Sequence, residues 1–332
     1  MIFASKSRSV YYAGAAVLAV LTAPVLHAQD NIPGAMSPGP LGYPAGSGPY
    51  PAIAEVRADA AGYTIYRPAD FPREKLPLVL WGNGGCRDNG LSASHFLREI
   101  ASHGYFVIAN GSARQEREVL AELPEVPATA APAPVDNVAV RPLRRDPDET
   151  SVEQMLAAIA YAQRSDADAD HKFYDRIDTS RIAATGHSCG GLQALAAGLD
   201  QRIDTVVALA SGVYSVEESP PGNVEIIQSD LAKLHSPVAF VLGGPSDIAF
   251  PHGMRNFELI DHVPVMAASL PVGHGGTFAL KDGGEWAEVA TAWLDWKLKG
   301  RHRAARWFVG DSCYLCSDSD WTIERKNFSV QP

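Results

Sequence analysis

Short apolar runs and longer amphipathic segments alternate along most of the chain. The runs are too short for helices and end at glycine, proline or a turn, so they predict strands that are buried on both faces of a sheet. The predicted strands cover residues 63–66, 76–81, 105–109, 181–185, 204–210, 238–242 and 265–270, and the last of these is expected to end the sheet.

The segments between these runs show the 3.6-residue period of helices. Predicted helices cover 92–102, 189–198, a segment that begins at the capping-box spacing 150–153, and a closing helix in which Trp286 and Trp293 share one face. We expect the two tryptophans to anchor the core. The strand–helix–strand order predicts right-handed crossovers and an α/β fold, with a mostly parallel central sheet flanked by helices.

The first 28 residues have the pattern of an export signal. Lys6 and Arg8 precede an apolar run, 11–26, and Ala28 stands at a plausible cleavage point. A short membrane anchor is the alternative, but the run is shorter than the roughly 20 residues that span a bilayer. We therefore expect a cleaved signal peptide, a secreted or periplasmic mature protein and no stable membrane insertion.

The rest of the chain divides by composition. Residues 29–51 are rich in proline and glycine and predict an extended lead-in, and 52–310 form one α/β domain. Within that domain, 112–148 lose all periodicity and predict a surface insertion. Residues 311–332 form a C-terminal tail with a Cys-x-x-Cys motif.

Composition and charge exclude several classes of protein. With 46% hydrophobic and 20% charged residues, the 332-residue chain can build a packed core and is not disordered throughout. The 28 basic and 38 acidic residues give a net charge of −10, and no basic block stands out. A nucleic-acid partner is therefore not expected, and nothing indicates an obligate protein partner.

The segment Gly186-His187-Ser188-Cys189-Gly190 lies between a predicted strand and a predicted helix. Gly-x-Ser-x-Gly in that place makes a sharp turn that exposes the serine at the carboxyl end of the strand. The glycines are needed because a side chain would collide with neighbouring backbone. The pattern predicts Ser188 as a nucleophile.

A serine nucleophile needs a base, and the base needs an orienting acid. His274 is the preferred base because it follows the predicted strand 265–270 in a glycine-rich loop, and Asp247 is the preferred acid because it follows the strand 238–242. Other downstream histidines and acids remain open as alternatives. They are His235, His252, His262 and His302 for the base, and Asp230, Asp261 and Asp282 for the acid.

Two backbone amides are expected to stabilise the oxyanion of the reaction. One is the N–H of Cys189, the residue after the nucleophile, and the other comes from the loop after the strand 76–81. We choose Gly85 in that loop, with Cys86 or Gly84 as alternatives.

The four cysteines are even in number, which favours two disulfides in an exported protein. Cys313 and Cys316 predict a local bridge, with a redox Cys-x-x-Cys site as the alternative. If the amides of Gly85 and Cys189 converge on one oxygen, Cys86 and Cys189 lie close enough for a second bridge. Two buried free thiols are the alternative for this second pair.

At these residues the chain resembles secreted α/β-hydrolases of the branch with dienelactone-hydrolase-like, chlorophyllase-like and polyester-hydrolase (cutinase-type) enzymes. The resemblance covers about residues 63–299, and the motifs that carry it lie at 64–68, 82–86, 174–191, 243–247 and 273–276. It implies the α/β-hydrolase fold, with 52–310 as the catalytic domain and Ser188, Asp247 and His274 as the triad. Three features depart from the family. Asn83 stands where many lipases have histidine, dienelactone hydrolases proper have cysteine at the position of Ser188, and the tail with Cys313 and Cys316 has no counterpart.

These residues predict a serine esterase that acts on a small or polymeric carboxylic ester, with no cofactor and no metal. Residues 211–237 are too few for a large cap domain, so the site is expected to be open. An exported serine peptidase or amidase, and a non-catalytic binding protein on a hydrolase fold, are the alternatives. Four aromatic residues are candidates for a substrate subsite, with ordinary packing as the alternative: Trp81, Tyr214, Phe250 and Phe278.

Overall fold

The computed structural model describes Gly34 and residues 36–114, 149–218 and 224–328. The predicted signal peptide and all but the first three residues of the predicted insertion 112–148 lie outside these ranges. Within them, nine strands form one sheet in the order β1-β2-β4-β3-β5-β6-β7-β8-β9. The strands are β1 Ala52–Glu55, β2 Tyr63–Pro68, β3 Leu76–Gly82, β4 Phe106–Asn110, β5 Ile177–His187, β6 Thr205–Leu209, β7 Val238–Leu242, β8 Val265–Ser269 and β9 Thr322–Lys326.

The six strands from β4 to β8 in this order pair in parallel, and antiparallel strands complete both edges. The prediction of an α/β protein with a mostly parallel sheet is confirmed. Helices cover both faces of the sheet. They are α1 Ser94–Ser102, α2 Val152–Ala167, α3 Cys189–Ala197, α4 Phe250–Leu259, α5 Gly284–Lys297 and α6 Tyr314–Ser317.

Side chains of successive residues in β3 belong to different cores. Leu78 and Leu80 join the core under α2, α3 and α4, whereas Val79 and Trp81 join the core under α1 and α5. All four are at most 1% exposed. Burial on both faces explains why this strand reads as a continuous apolar run.

The closing helix α5 contributes its aromatic residues to the second core. Trp286 and Trp293 are completely buried, so the prediction that they anchor the core is confirmed. The Trp293 indole donates to Thr205 Oγ1 at 2.8 Å, which links α5 to the middle of the sheet.

The sheet does not end at β8, contrary to the sequence prediction. β9 pairs antiparallel with β8, from Val265 opposite Lys326 to Ser269 opposite Thr322. Its residues are polar at all positions but one, because an edge strand of this kind covers little core. The apolar runs that revealed the central strands are therefore absent here.

The cap of α2 lies one residue later than the predicted capping box. Ser151 is the N-cap and its side chain accepts a hydrogen bond from the Gln154 amide at 3.2 Å. Thr150 is used elsewhere, because its hydroxyl and its amide both donate to the Cys86 carbonyl. The residue that sequence spacing assigned to the helix cap instead holds the loop after β3.

Residues 36–51, which we call the N-terminal strap, lie along α1. The buried Arg98 side chain donates to the carbonyls of Gly39 and Pro40 at 3.0 and 2.8 Å. At the start of the strap, the Met36 amide donates to the Ala279 carbonyl at 2.7 Å. The strap, which is part of the predicted lead-in, is thus held against the folded domain at several points.

Candidate active site

Ser188 lies in the turn between β5 and α3 with φ 53° and ψ −120°. A non-glycine residue at positive φ is strained, and the tight packing of this turn holds it there. A Cβ on Gly190 would lie 2.1 Å from the carbonyl carbon and oxygen of Gly82, and one on Gly186 would lie 2.2 Å from the Gly190 carbonyl oxygen. The glycines of the motif therefore allow the turn to close against β3.

The structure brings together the three residues of the predicted triad. His274 Nε2 is 2.9 Å from Ser188 Oγ, and His274 Nδ1 is 2.7 Å from Asp247 Oδ1. Ser188 follows β5, Asp247 follows β7 and His274 follows β8, so all three side chains come from the carboxyl ends of parallel strands. Because these strands run in parallel, their carboxyl ends lie side by side at the same end of the sheet.

Asp247 is held as a carboxylate by three donors. Its Oδ1 accepts from the Ala249 amide at 2.9 Å as well as from His274, and its Oδ2 accepts from the Gly243 amide at 3.0 Å. Burial by itself raises the pKa of Asp247, but the hydrogen bonds from His274, Ala249 and Gly243 outweigh it and leave the pKa below its usual value. A fixed negative charge therefore faces His274 Nδ1.

The alternative acids have other partners. Asp230 pairs with Lys233, Asp261 pairs with Lys326, and Asp282 lies 4.0 Å from Lys281. The alternative bases likewise make other contacts in the part of the chain that the structure describes. His235 contacts Gln201, His252 stacks on Tyr214, His262 contacts the Leu234 carbonyl, and His302 begins a short helical turn.

The loop after β3 forms a tight turn over Gly84–Cys86 next to the nucleophile. Gly85 has φ 64°, a conformation that glycine adopts without strain, and it lies at the protein surface. The Cys86 amide donates to the Asn83 carbonyl at 3.0 Å, so this alternative oxyanion donor is already used within the turn. Gly85 and Cys189 remain our candidates for the oxyanion donors.

Both predicted cysteine pairs lie at disulfide distance. Cys86 and Cys189 are bonded with their Cα atoms 5.2 Å apart, and Cys313 and Cys316 with their Cα atoms 4.9 Å apart. The first pair is completely buried and joins the loop after β3 to the first residue of α3.

Asn83 is a residue whose role the sequence did not reveal. Its Oδ1 accepts from Trp81 Nε1 at 2.9 Å and from the Ser92 hydroxyl at 3.2 Å, while its Nδ2 donates to the carbonyls of Arg87 and Asn110. The side chain is completely buried. Asn83 therefore fixes both ends of the loop that carries Gly85. The only sequence signal was that many lipases have histidine where this chain has Asn83.

His187 is a second such residue. It occupies the variable position before Ser188, and its Nε2 is 2.8 Å from the His274 carbonyl oxygen. Sequence reasoning treated it only as a spacer between Gly186 and the nucleophile. Its contact with the loop of the base depends on the folded geometry.

The four candidate subsite aromatics separate into two pairs. Trp81 is completely buried and Phe278 is 7% exposed, and their rings lie 5.8 Å apart in the core, so neither offers a surface to a substrate. For both residues the subsite prediction is wrong and the alternative of ordinary packing holds. The Trp81 side chain points from the end of β3 into the core under α1 and α5, which also contains Phe278. Tyr214 and Phe250 are partly exposed. The Tyr214 ring stacks on the His252 ring, with 4.1 Å between the ring centres.

Within the described ranges, the structure has no group of three or more histidine, cysteine or acidic side chains that could hold a metal ion. In the same ranges, no helix combines the length and the apolar character required to cross a bilayer. No family model matches the chain, and no curated protein matches its sequence.

Proposed function

We propose that this protein is an exported serine hydrolase that cleaves carboxylic esters through an acyl-serine intermediate. The observation that carries the proposal is the continuous chain of hydrogen bonds from Ser188 Oγ through His274 to Asp247, at 2.9 and 2.7 Å. The mostly parallel sheet, with these residues after β5, β8 and β7, supports an α/β-hydrolase fold of the branch that the sequence resembles.

In the proposed mechanism, His274 Nε2 takes the proton of Ser188 as the hydroxyl attacks the ester carbonyl. The resulting imidazolium donates through Nδ1–H to Asp247, whose carboxylate is already held by the Gly243 and Ala249 amides. His274 then protonates the departing alcohol. Water, activated by the same imidazole, releases the acid and restores Ser188.

The tetrahedral intermediate carries a negative charge on the former carbonyl oxygen. We assign its stabilisation to the amides of Gly85 and Cys189, at the loop after β3 and the amino end of α3. Preorganised donors of this kind contribute roughly 3–4 kcal/mol each. The Cys86–Cys189 bridge joins the two segments that carry them.

Export is supported by the basic and apolar start of the sequence and by the two disulfides, which persist in oxidising compartments. The proposed location is the periplasm or the exterior of the cell, after removal of residues 1–28. The proposed substrate is a small or polymeric ester that reaches Ser188 directly.

The test compares the wild-type protein with Ser188→Ala. We expect wild-type turnover of p-nitrophenyl esters and labelling by a fluorophosphonate at Ser188, and the loss of both in the variant. Ser180→Ala, which changes an exposed serine of the same strand, serves as the control and should match the wild type. Labelling at another residue, or full turnover by Ser188→Ala, would refute the proposal.

A panel of matched esters and peptides measures the bond preference. We expect esters to be cleaved faster than the corresponding amides. Faster cleavage of peptides would make the protein a serine peptidase with the same triad. A wild-type protein that neither labels nor turns over any substrate would support a binding role.

A further inference from the structure

His187 connects the nucleophile turn to the loop of the proposed base. Its Nε2 lies 2.8 Å from the main-chain carbonyl oxygen of His274. A carbonyl oxygen only accepts hydrogen bonds, so the proton of the neutral ring resides on Nε2 and His187 is the donor. The backbone of His274 is therefore held by the residue that precedes the nucleophile in the chain.

The His187 ring also contacts the proposed oxyanion loop. A Cβ on Gly84 would lie 2.6 Å from His187 Nδ1, so the ring lies directly against the Cα of that glycine. The ring centre is 4.8 Å from that of Phe278 and 5.1 Å from that of His274. One side chain thus lies between the loop after β3 and the loop after β8.

We infer that His187 is a positioning residue for catalysis, which sets the place of His274 by donating a hydrogen bond from Nε2 to its main-chain oxygen. The inference rests on the proposed function and names a residue that acts through another. The contacts of the ring described above are with His274, Gly84 and Phe278, and we propose none with the substrate.

The electrostatic surroundings keep His187 neutral while it does this. Burial and the nearby His274 lower the pKa of His187 to about 4, and the Arg87 guanidinium acts in the same direction. The His274 carbonyl and the Asp247 carboxylate oppose the shift but do not cancel it. A neutral neighbour matters because a second positive charge would disfavour the imidazolium that His274 forms during the reaction.

A residue that only fills space would give a different result from one that positions the base. His187→Leu fills much of the same space but removes the donor, whereas His187→Gln again supplies a side-chain N–H donor for the same carbonyl. Small displacements of reacting groups reduce rates strongly, by up to about 100-fold for 1 Å. We therefore expect kcat to fall about 10- to 100-fold in His187→Leu, with KM within about threefold of the wild type.

The experiment measures kcat and KM with p-nitrophenyl acetate, the rate of fluorophosphonate labelling and the thermal midpoint for the wild type and both variants. Partial recovery of kcat in His187→Gln, beyond any recovery of the midpoint, supports the inference. Wild-type kcat in His187→Leu, or equal losses in both variants, overturns it. If the wild type itself is not labelled at Ser188, the proposed function fails instead.

A second measurement needs no variant to fold. Nitrogen-15 NMR of the wild-type histidine rings reports which ring nitrogen carries the proton. We expect His187 as the neutral Nε2–H form at pH 7 and still neutral at pH 5. An Nδ1–H form, or a charged ring at pH 6, overturns the inference whatever the kinetics show.

Discussion

The Cα atoms of Cys86 and Cys189 lie 5.2 Å apart, although 103 positions separate the two residues in the chain. Cys86 ends the turn that contains Gly85, and Cys189 directly follows Ser188. The bridge therefore joins the two backbone segments to which we assign the oxyanion donors. Thr150 adds to this connection, because it donates to the Cys86 carbonyl and accepts through its own carbonyl from Gln193.

Replacing Cys86 and Cys189 together by alanine should lower both stability and activity. A bridge that closes a loop of about 100 residues restricts the unfolded chain strongly, and loss of such a native bridge costs about 2–5 kcal/mol. We expect a decrease of that size in the free energy of unfolding, measured in urea. We also expect a lower kcat at a temperature where the variant is still folded, because the two segments are no longer joined.

The Cys313→Ala, Cys316→Ala double variant is the matched control. Its bridge joins residues only three positions apart, so it restricts the unfolded chain little. Neither of its cysteines is a sequence neighbour of Ser188. Its kcat should equal that of the wild type. Equal kcat in both double variants would contradict the role that we give to the Cys86–Cys189 bridge.

Asp247→Asn should reduce kcat by roughly 10³- to 10⁴-fold, with the fold retained, because the amide lacks the charge that orients and stabilises the protonated His274. The measurement is ester turnover together with near-ultraviolet circular dichroism. Asp230→Asn, on a surface carboxylate that pairs with Lys233, is the control and should remain within twofold of the wild type. A small effect of Asp247→Asn would mean that another acid orients the base.

Stability should fall on acidification partly through His187. Its pKa is about 4 in the folded protein and 6.5 in the unfolded chain, so between these values the unfolded chain binds a proton that the folded protein does not. The free energy of unfolding therefore decreases as the pH falls from about 6.5 to 4. The total for this residue is about 3 kcal/mol at most, at about 1.4 kcal/mol for each pH unit.

His187→Gln cannot take up this proton, so it should lose less stability than the wild type over the same pH range. Urea unfolding of both proteins at pH 7, 5.5 and 4 measures the difference, and the shared carboxylates largely cancel in it. The groups that face His187, namely His274, Asp247 and Arg87, are present in both proteins. Parallel stability curves would show that His187 takes up its proton over the same pH range in the folded protein as in the unfolded chain.

Arg98→Met should loosen the N-terminal strap. Arg98 is 1% exposed and meets no carboxylate among the described residues, and its guanidinium instead donates to Gly39, Pro40 and Ser94. Methionine fills part of the volume but leaves the carbonyls without a donor, at a cost of about 1–3 kcal/mol. Limited proteolysis should then cut within residues 36–51 faster than in the wild type.

The control for this change is Arg202→Met. Arg202 pairs with Asp200 on the surface and should contribute less than about 1 kcal/mol. If the strap is no more sensitive to protease in Arg98→Met than in Arg202→Met, Arg98 does not hold it.

The central strands could be predicted from the sequence because burial on both faces leaves a continuous apolar run, as in β3. The edge strands could not. β1 has only four residues, and β9 has polar or charged side chains at all positions but one, because much of it faces solvent. Strand order at an edge depends on pairing partners, which no local pattern contains.

The approach of Ser188, His274 and Asp247 to one another could be predicted because each follows a strand in a turn whose glycines have a physical purpose. Asn83 and His187 could not, since their importance comes from carbonyls that are distant in sequence, those of Asn110 and His274. The placement of Trp81 failed for a related reason. An aromatic residue at the end of a buried strand points to one face or the other, and periodicity alone does not say which face borders the site.

The strap has a practical consequence for handling the protein. The described chain enters the fold beside Ala279, five positions beyond His274, through the Met36 amide. A tag or fusion partner placed directly before the strap would consequently join the chain next to the segment between β8 and α5, the same segment that carries His274. A partner attached after β9 would instead follow the edge strand opposite β1, and comparing the activity of the two fusions would show which end of the chain tolerates attachment.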